Sequence, residues 1–250
     1  MLIRNKKAFS RGLLLLVSFL IVFVVFFMPV FPAQEGSGQK TNGLVYADHL
    51  FNTLSKGSSN FFDPTLQNPD SVDKTAAGTQ GTMIDLDVPF KDASHVPMAQ
   101  QLAGEAGLAA APSSGGPRVK GDLYALLKPV LADSLATYNN NFEEVSRRHD
   151  NADGRAVMRA WWHLLNNMVQ PMQRAGLNDQ ASAVKSIVTK GIEPSYNFYG
   201  ITPLKVSDNI PLVAGFLIFY VIYTMWYGFA IFELFEGIGL TMKKSAKQEV

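Results

Sequence analysis

The chain has 250 residues, a formal net charge of +1 at neutral pH and no cysteine. Near-neutral charge gives no electrostatic basis for binding nucleic acid. The missing cysteine excludes disulfides, thiolate metal centres, covalently attached c-type haem and a cysteine nucleophile, and fits an extracytoplasmic bacterial domain.

The first element is an apolar run, Gly12 to Phe31, preceded by Arg4, Lys6, Lys7 and Arg11. At about 1.5 Å per residue it spans a hydrocarbon core of about 30 Å. It is longer than a signal-peptide core, and bulky Phe31 stands where a cleavage site needs a small residue, so the run reads as an uncleaved signal anchor. A polar connector follows. Leu44 to Lys56 reads as a helix with Leu44, Ala47, Leu50, Phe51 and Leu54 on one face and Gly57 as its stop. The stretch from Ser58 to Gly81 shows no period and reads as loop. "TMIDLDVPF" alternates as one short strand. "VPMAQQLAGEAGLAAAP" reads as an alanine-rich helix ending before Pro112, and "SSGGPRVKG" as a linker.

The strongest helical periodicity lies in "DLYALLKPVLADSLATYNNNFEEVSRR", with Leu127, Leu131, Leu135, Phe142 and Val145 among its apolar positions and Pro129 as a kink or a start. The turn "HDNADG" follows. A helix capped by Asp153 then carries Val157, Trp161, Leu164, Leu165, Met168 and Met172 on one stripe and stops at Gly176. A third helix is expected between Asn178 and Gly191, completing a bundle with one of the earlier helices. The segment back to the membrane offers Tyr196, Phe198 and Tyr199 for the headgroup level.

The second apolar run spans Ile210 to Phe232, with Asp208 or Asn209 to cap it and Pro211 in its first turn. Lys243, Lys244 and Lys247 lie just beyond. Basic residues on the outer side of both runs place both termini in the cytoplasm. The expected fold is mainly α: a two-transmembrane-helix hairpin enclosing an extracytoplasmic, bundle-like helical domain with long loops and at most one short strand. Its parts are a cytoplasmic tail (1–11), the first transmembrane helix (12–32), a connector (33–119), the helical domain (120–208), the second transmembrane helix with an interfacial extension (209–242) and a second tail (243–250). Tails this short leave no room for a signalling output domain.

No catalytic motif stands out. "HDNADG" begins like a calcium loop, but His149 and Ala160 occupy positions that need acidic ligands, so it reads as an Asx-rich turn. The histidines His49, His95, His149 and His163 have no metal-ligand spacing, though haem or metal ligation by two distant ones stays open. Glu143 and Glu144 precede Arg147 and Arg148 as helix-surface pairs. Of Trp161 and Trp162, one is expected in the core and the other at a surface.

The second membrane run is more informative. Tyr220 and Tyr223 fall well inside the span, where their hydroxyls need partners. Thr224 and Gly228 form a small-xxx-small pair, and Trp226 lies between them. Glu233 and Glu236 stand at the end of the helix, where the macrodipole opposes negative charge. These seven residues are candidates for contact with a membrane-protein partner that offers Glu233 and Glu236 a basic or hydrogen-bonding group. The expected role is a non-catalytic accessory, scaffold or assembly subunit of a bacterial inner-membrane complex, in contact with the lipid bilayer, without a cofactor and without nucleic acid. Alternatives are a membrane-anchored ligand-binding or sensor module acting through a separate cytoplasmic partner, and a redox or cofactor-binding subunit.

Overall fold

The computed structural model describes residues 3–32 and 38–240. Met242, Lys243, Lys244 and Lys247 lie outside the described residues, as does Ala33. The chain is mainly helical and divides into two compact units, Met1–Leu54 with Leu204–Val250, and Ser55–Pro203.

In the first unit, helix α1 (Lys6–Phe27) and the last helix of the chain, Ile210–Gly237, are both long and apolar enough to cross a membrane. They pack antiparallel, and small residues set their approach. A Cβ on Gly12 would lie 2.7 Å from the backbone nitrogen of Leu234, and one on Gly237 would lie 2.7 Å from Cα of Phe9. Phe19 stacks on Tyr223 with ring centroids 4.3 Å apart, and Phe26 lies 6.0 Å from Phe219. Asn5 caps α1 by accepting from Ala8 N–H. The second span is preceded by a 3-10 turn, Val206–Asn209, and Asn209 makes no side-chain cap bond. That span ends in a Schellman turn: Gly239 takes φ +87°, Leu240 N–H donates to the Phe235 carbonyl and Gly239 N–H to that of Glu236. Helix α2 (Gly43–Ser58) runs one residue past the expected stop at Gly57, and Leu44 and Phe51, expected on its packed face, are exposed.

The second unit has its own core. Helix α3 (Val72–Ala77) lies in the stretch read as loop. Six residues are too few to show a period; Ser71 caps it by accepting from Lys74 N–H. Strand β1 (Met83–Asp87) turns Ile84 and Leu86 inward. Helix α4 (Val96–Glu105) is shorter than expected, because Gly107 at φ +83° ends it. The residues expected as helix end and linker form β2 (Ala109–Ser113) and β3 (Gly116–Asp122), joined through Gly115 at φ +89°. The sheet therefore has three antiparallel strands, in the order β1-β3-β2, and not one short strand. Alanine, glycine and proline are poor strand formers, which masked the hairpin. Cross-strand pairing holds it: Arg118 Nε lies 2.7 Å from Asp85 Oδ1, and Lys120 also reaches Asp85.

Helix α5 (Leu123–Tyr138) keeps Pro129 in its interior. The long periodic region then breaks at Asn140, φ +62°, and resumes as α6 (Phe142–Arg148). Leu135, expected in the core, is 36% exposed, while Leu127, Trp161, Leu165 and Met168 are fully buried. Helix α7 (Gly154–Arg174) is capped by Asp153, and all six residues of its expected stripe are buried. Helix α8 (Asn178–Ile187) is not stopped at Gly191: the chain continues through a π-turn, Val188–Ile192, into α9 (Glu193–Asn197). Gly191 lies within this π-turn, where a Cβ would meet Val72 in ordinary contact at 3.7 Å. The long apolar helix Ile210–Gly237 is α10.

Lys56 is fully buried and pairs with no carboxylate among the described residues. Its ammonium donates to Asn140 Oδ1 (2.8 Å) and the Ile201 carbonyl (2.7 Å) and lies over the Tyr138 ring. Burial lowers its pKa. Tyr138 O–H returns a bond to the Lys56 carbonyl at 2.6 Å.

Candidate functional site

In the first unit the residues singled out on α10 divide between two faces. Tyr223 packs on Phe19, and Trp226 Nε1–H donates to the Leu15 carbonyl at 3.1 Å. Glu233 Oε2 lies 3.1 Å from Arg11 Nη2 of α1, and Glu236 accepts from Asn5 Nδ2 at 3.5 Å. The N–H groups of Arg4 and Asn5 both donate to the Gly237 carbonyl. The electropositive start of α1 thus lies beside the electronegative end of α10, and the glutamates sit where α1 offsets the repulsion of their own helix. A basic group therefore reaches Glu233 from within the chain. Tyr220, Thr224 and Gly228, at i, i+4 and i+8, are exposed, with open space around Gly228. The Thr224 hydroxyl donates back to the Tyr220 carbonyl.

The second unit holds a buried charged cluster centred on His149, which caps the C-terminus of α6. Its Nδ1 lies 2.5 Å from Glu105 Oε2 at the end of α4, and its Nε2 lies 2.7 Å from Asp133 Oδ2 on α5. Asp133, fully buried, also accepts from Trp161 Nε1–H at 2.8 Å and Arg148 Nη1–H at 3.1 Å. Arg148 in turn pairs with Glu144, the i,i+4 partner expected from the sequence. Burial alone would lower the imidazole pKa, but the hydrogen bonds and charges of Asp133 and Glu105 outweigh it and raise His149 above the usual histidine value. The cluster borders a cavity of about 200 Å³ beneath Leu102 and Pro129. Five charged groups and an indole are linked here, and the arrangement joins α4, α5, α6 and α7.

The sequence offered one sign of this cluster. Asp133 interrupts the apolar face of α5 between Val130 and Thr137, all three of them buried. Glu105 and His149 gave none, because 44 residues separate them and neither sits in a motif. The turn "HDNADG" is an interhelical turn, with Asp150 and Asn151 in left-handed conformation.

A second site lies at the surface. Helices α7 and α9 enclose a concavity of about 310 Å³ lined by Met158, Arg159, Trp162, Ile192, Glu193 and Tyr196. Trp162, the exposed member of the tryptophan pair, donates through Nε1–H to Glu193 Oε1 at 3.0 Å, and Arg159 Nη2–H donates to Tyr196 Oη at 3.3 Å. Of Tyr196, Phe198 and Tyr199, offered above for the headgroup level, Tyr196 meets Arg159 and the Tyr199 ring centre lies 3.8 Å from that of Phe142. On the far side of Trp162, His163 stacks on His95 with ring centroids 4.0 Å apart. Burial, then the charges of His95 and Arg159, lower the pKa of His163. Among the described residues no group of three or more histidine, aspartate and glutamate side chains is placed to hold a metal ion. Comparisons of the chain with protein-family models, with curated proteins and with solved structures found no match.

Proposed function

We propose that the chain is a non-catalytic accessory or scaffold subunit of a complex in a bacterial inner membrane. In this reading α1 and α10 form a bilayer hairpin with both termini cytoplasmic, and Ser55–Pro203 lies on the extracytoplasmic side. The flanking basic residues Arg4, Lys6, Lys7 and Arg11, and Lys243, Lys244 and Lys247, support that orientation. The observation that carries the scaffold role is the open stripe Tyr220–Thr224–Gly228 on α10. Tyr220 lies about 15 Å along the helix from its start, in the apolar layer, and is 65% exposed. A phenol hydroxyl there gains a hydrogen bond only from another polypeptide, and Gly228 lets a second helix approach closely. Gly228→Leu is expected to leave insertion intact and to remove the co-purifying membrane partner, and a photo-crosslinker at Thr224 to capture that partner in the wild-type background. An unchanged set of co-purifying proteins from the variant argues against the role.

The concavity between α7 and α9 favours a second reading, a membrane-anchored ligand-binding module acting through a separate partner. Tryptophan, tyrosine and arginine converging on one hollow are the residue types that dominate binding energy at recognition sites.

A further inference from the structure

We propose that the concavity between α7 and α9 binds a small zwitterion with an apolar side chain, of the α-amino acid class; this rests on the ligand-binding reading and names its ligand. Two cross-helix hydrogen bonds, Arg159 to Tyr196 and Trp162 to Glu193, bridge the hollow. Residues three apart on a helix are displaced by about 4.5 Å along its axis. Arg159 and Glu193 therefore stand at diagonal corners, a cation at one end and an anion at the other.

Among the described residues neither charge is held in a close ion pair, and Asp153 acts on Arg159 only as the weakest of the influences that raise its pKa. No carboxylate pairs with Arg159 among the described residues, and no cation pairs with Glu193. The Arg159 guanidinium has five N–H donors, and the hydrogen bond to Tyr196 engages one nitrogen, leaving a fork for a carboxylate. Glu193 receives the indole proton on Oε1, and a carboxylate accepts several donors, so an ammonium can join. Between the charges the floor is apolar: Met158 is fully buried and Ile192 nearly so, and the Trp162 ring forms a wall. The cavity volume lies near the lower end of the range for small-molecule sites, which suits an amino acid.

Charge balance selects among occupants. A simple anion satisfies Arg159 and meets Glu193 as a like charge; a simple cation does the reverse. A zwitterion answers both corners with no net charge. Arg155, one turn earlier on α7, lies over the Phe142 and Tyr199 rings, 5.8 and 5.9 Å from their centres, beside the site.

The test uses the full chain in nanodiscs, with binding read by calorimetry and by tryptophan fluorescence. The probes are L-leucine, L-phenylalanine, N-acetyl-L-leucine, which lacks the ammonium, and L-leucinamide, which lacks the carboxylate. Leucine or phenylalanine is expected to bind, and each blocked analogue to bind about tenfold or more weakly than leucine. Arg159→Met should weaken leucine and leave leucinamide unchanged. Glu193→Gln should weaken leucine and leave N-acetyl-leucine unchanged. Arg159→Lys should restore part of the affinity, and thermal melts should match wild type for all three variants. If a blocked analogue binds as tightly as leucine, the zwitterion proposal is overturned while the ligand-binding reading stands. If neither amino acid binds at about 1 mM, the proposal also falls. The reading falls with it only if a fragment screen finds no compound whose binding is lost in Trp162→Ala.

Discussion

Both ring nitrogens of His149 face carboxylates, Glu105 on α4 and Asp133 on α5, and Asp133 also accepts from the Trp161 indole and the Arg148 guanidinium. A buried imidazole held this way keeps its proton to higher pH than a free one. The folded protein then binds more protons than the unfolded chain at pH values above about 6.5, so stability declines as pH rises through the raised value. His163 and Lys56, whose pKa values burial lowers, contribute the opposite slope, so the His149 share is read as a difference: in urea unfolding of residues 55–203, the midpoint advantage of wild type over His149→Gln is expected to be larger at about pH 6 than at about pH 9. An advantage that grows with pH would contradict the assignment. At this scale little was legible from the sequence. Asp133 on an apolar helix face announced a buried polar contact, but its partners come from three other segments, and only folding brings them together. The same holds for Arg159 and Glu193, ordinary surface charges until α7 and α9 are set side by side.

Among the elements, those with a long hydrophobic period were legible. The α7 stripe from Val157 to Met172 is buried as its spacing implies, the second apolar run lies within α10, and the first lies in α1 as far as Phe27, where the helix ends and Phe31 instead bridges to Thr41. The sheet was not. Its strands β2 and β3 carry Ala109, Ala110, Ala111, Pro112 and Gly116, residues that pack little side-chain surface on a pleat, and the β3 alternation rests on buried Pro117 and Val119 against paired Arg118 and Lys120. Gly116 is nonetheless specific: a Cβ there would collide with the Val88 carbonyl. Gly116→Ala should therefore destabilise by about 1–3 kcal/mol through overpacking, read as a lower thermal midpoint. Gly115→Ala should cost less by that mechanism, since no atom lies within 4 Å of its Cβ position, though its positive φ adds strain of its own. Equal stability of Gly116→Ala and wild type would show that the β1–β3 approach is looser than described. Short elements such as α3 and α9 stayed hidden because they span less than two turns and draw their order from neighbours.

For the whole molecule, the division into two units predicts separability. Residues 55–203, without α1 and α10, are expected to be soluble, with a helix-dominated circular dichroism spectrum and a cooperative thermal transition. Aggregation, or a spectrum dominated by strand, would show that the unit does not stand alone. Periplasmic phosphatase fused at the exposed turn near Gly115 should be active, and fused after the last residue inactive, if the hairpin has the proposed orientation.

The buried Lys56 has one more consequence. It holds the beginning of its unit to Ile201, near the end of that unit, and just outside it the Leu204 N–H donates to the Thr53 carbonyl at 3.0 Å. The path into Ser55–Pro203 and the path out of it are thus adjacent strands of chain, as in domains that tolerate insertion or circular permutation. Residues 55–203 are a cassette that the chain enters inside α2, after Leu54, and leaves before Leu204. A different domain with neighbouring termini could be spliced between Leu54 and Leu204 without lengthening the hairpin. By the same logic, joining the two ends of the cassette through a short linker and opening it at Gly115 should give a permuted protein with the same fold.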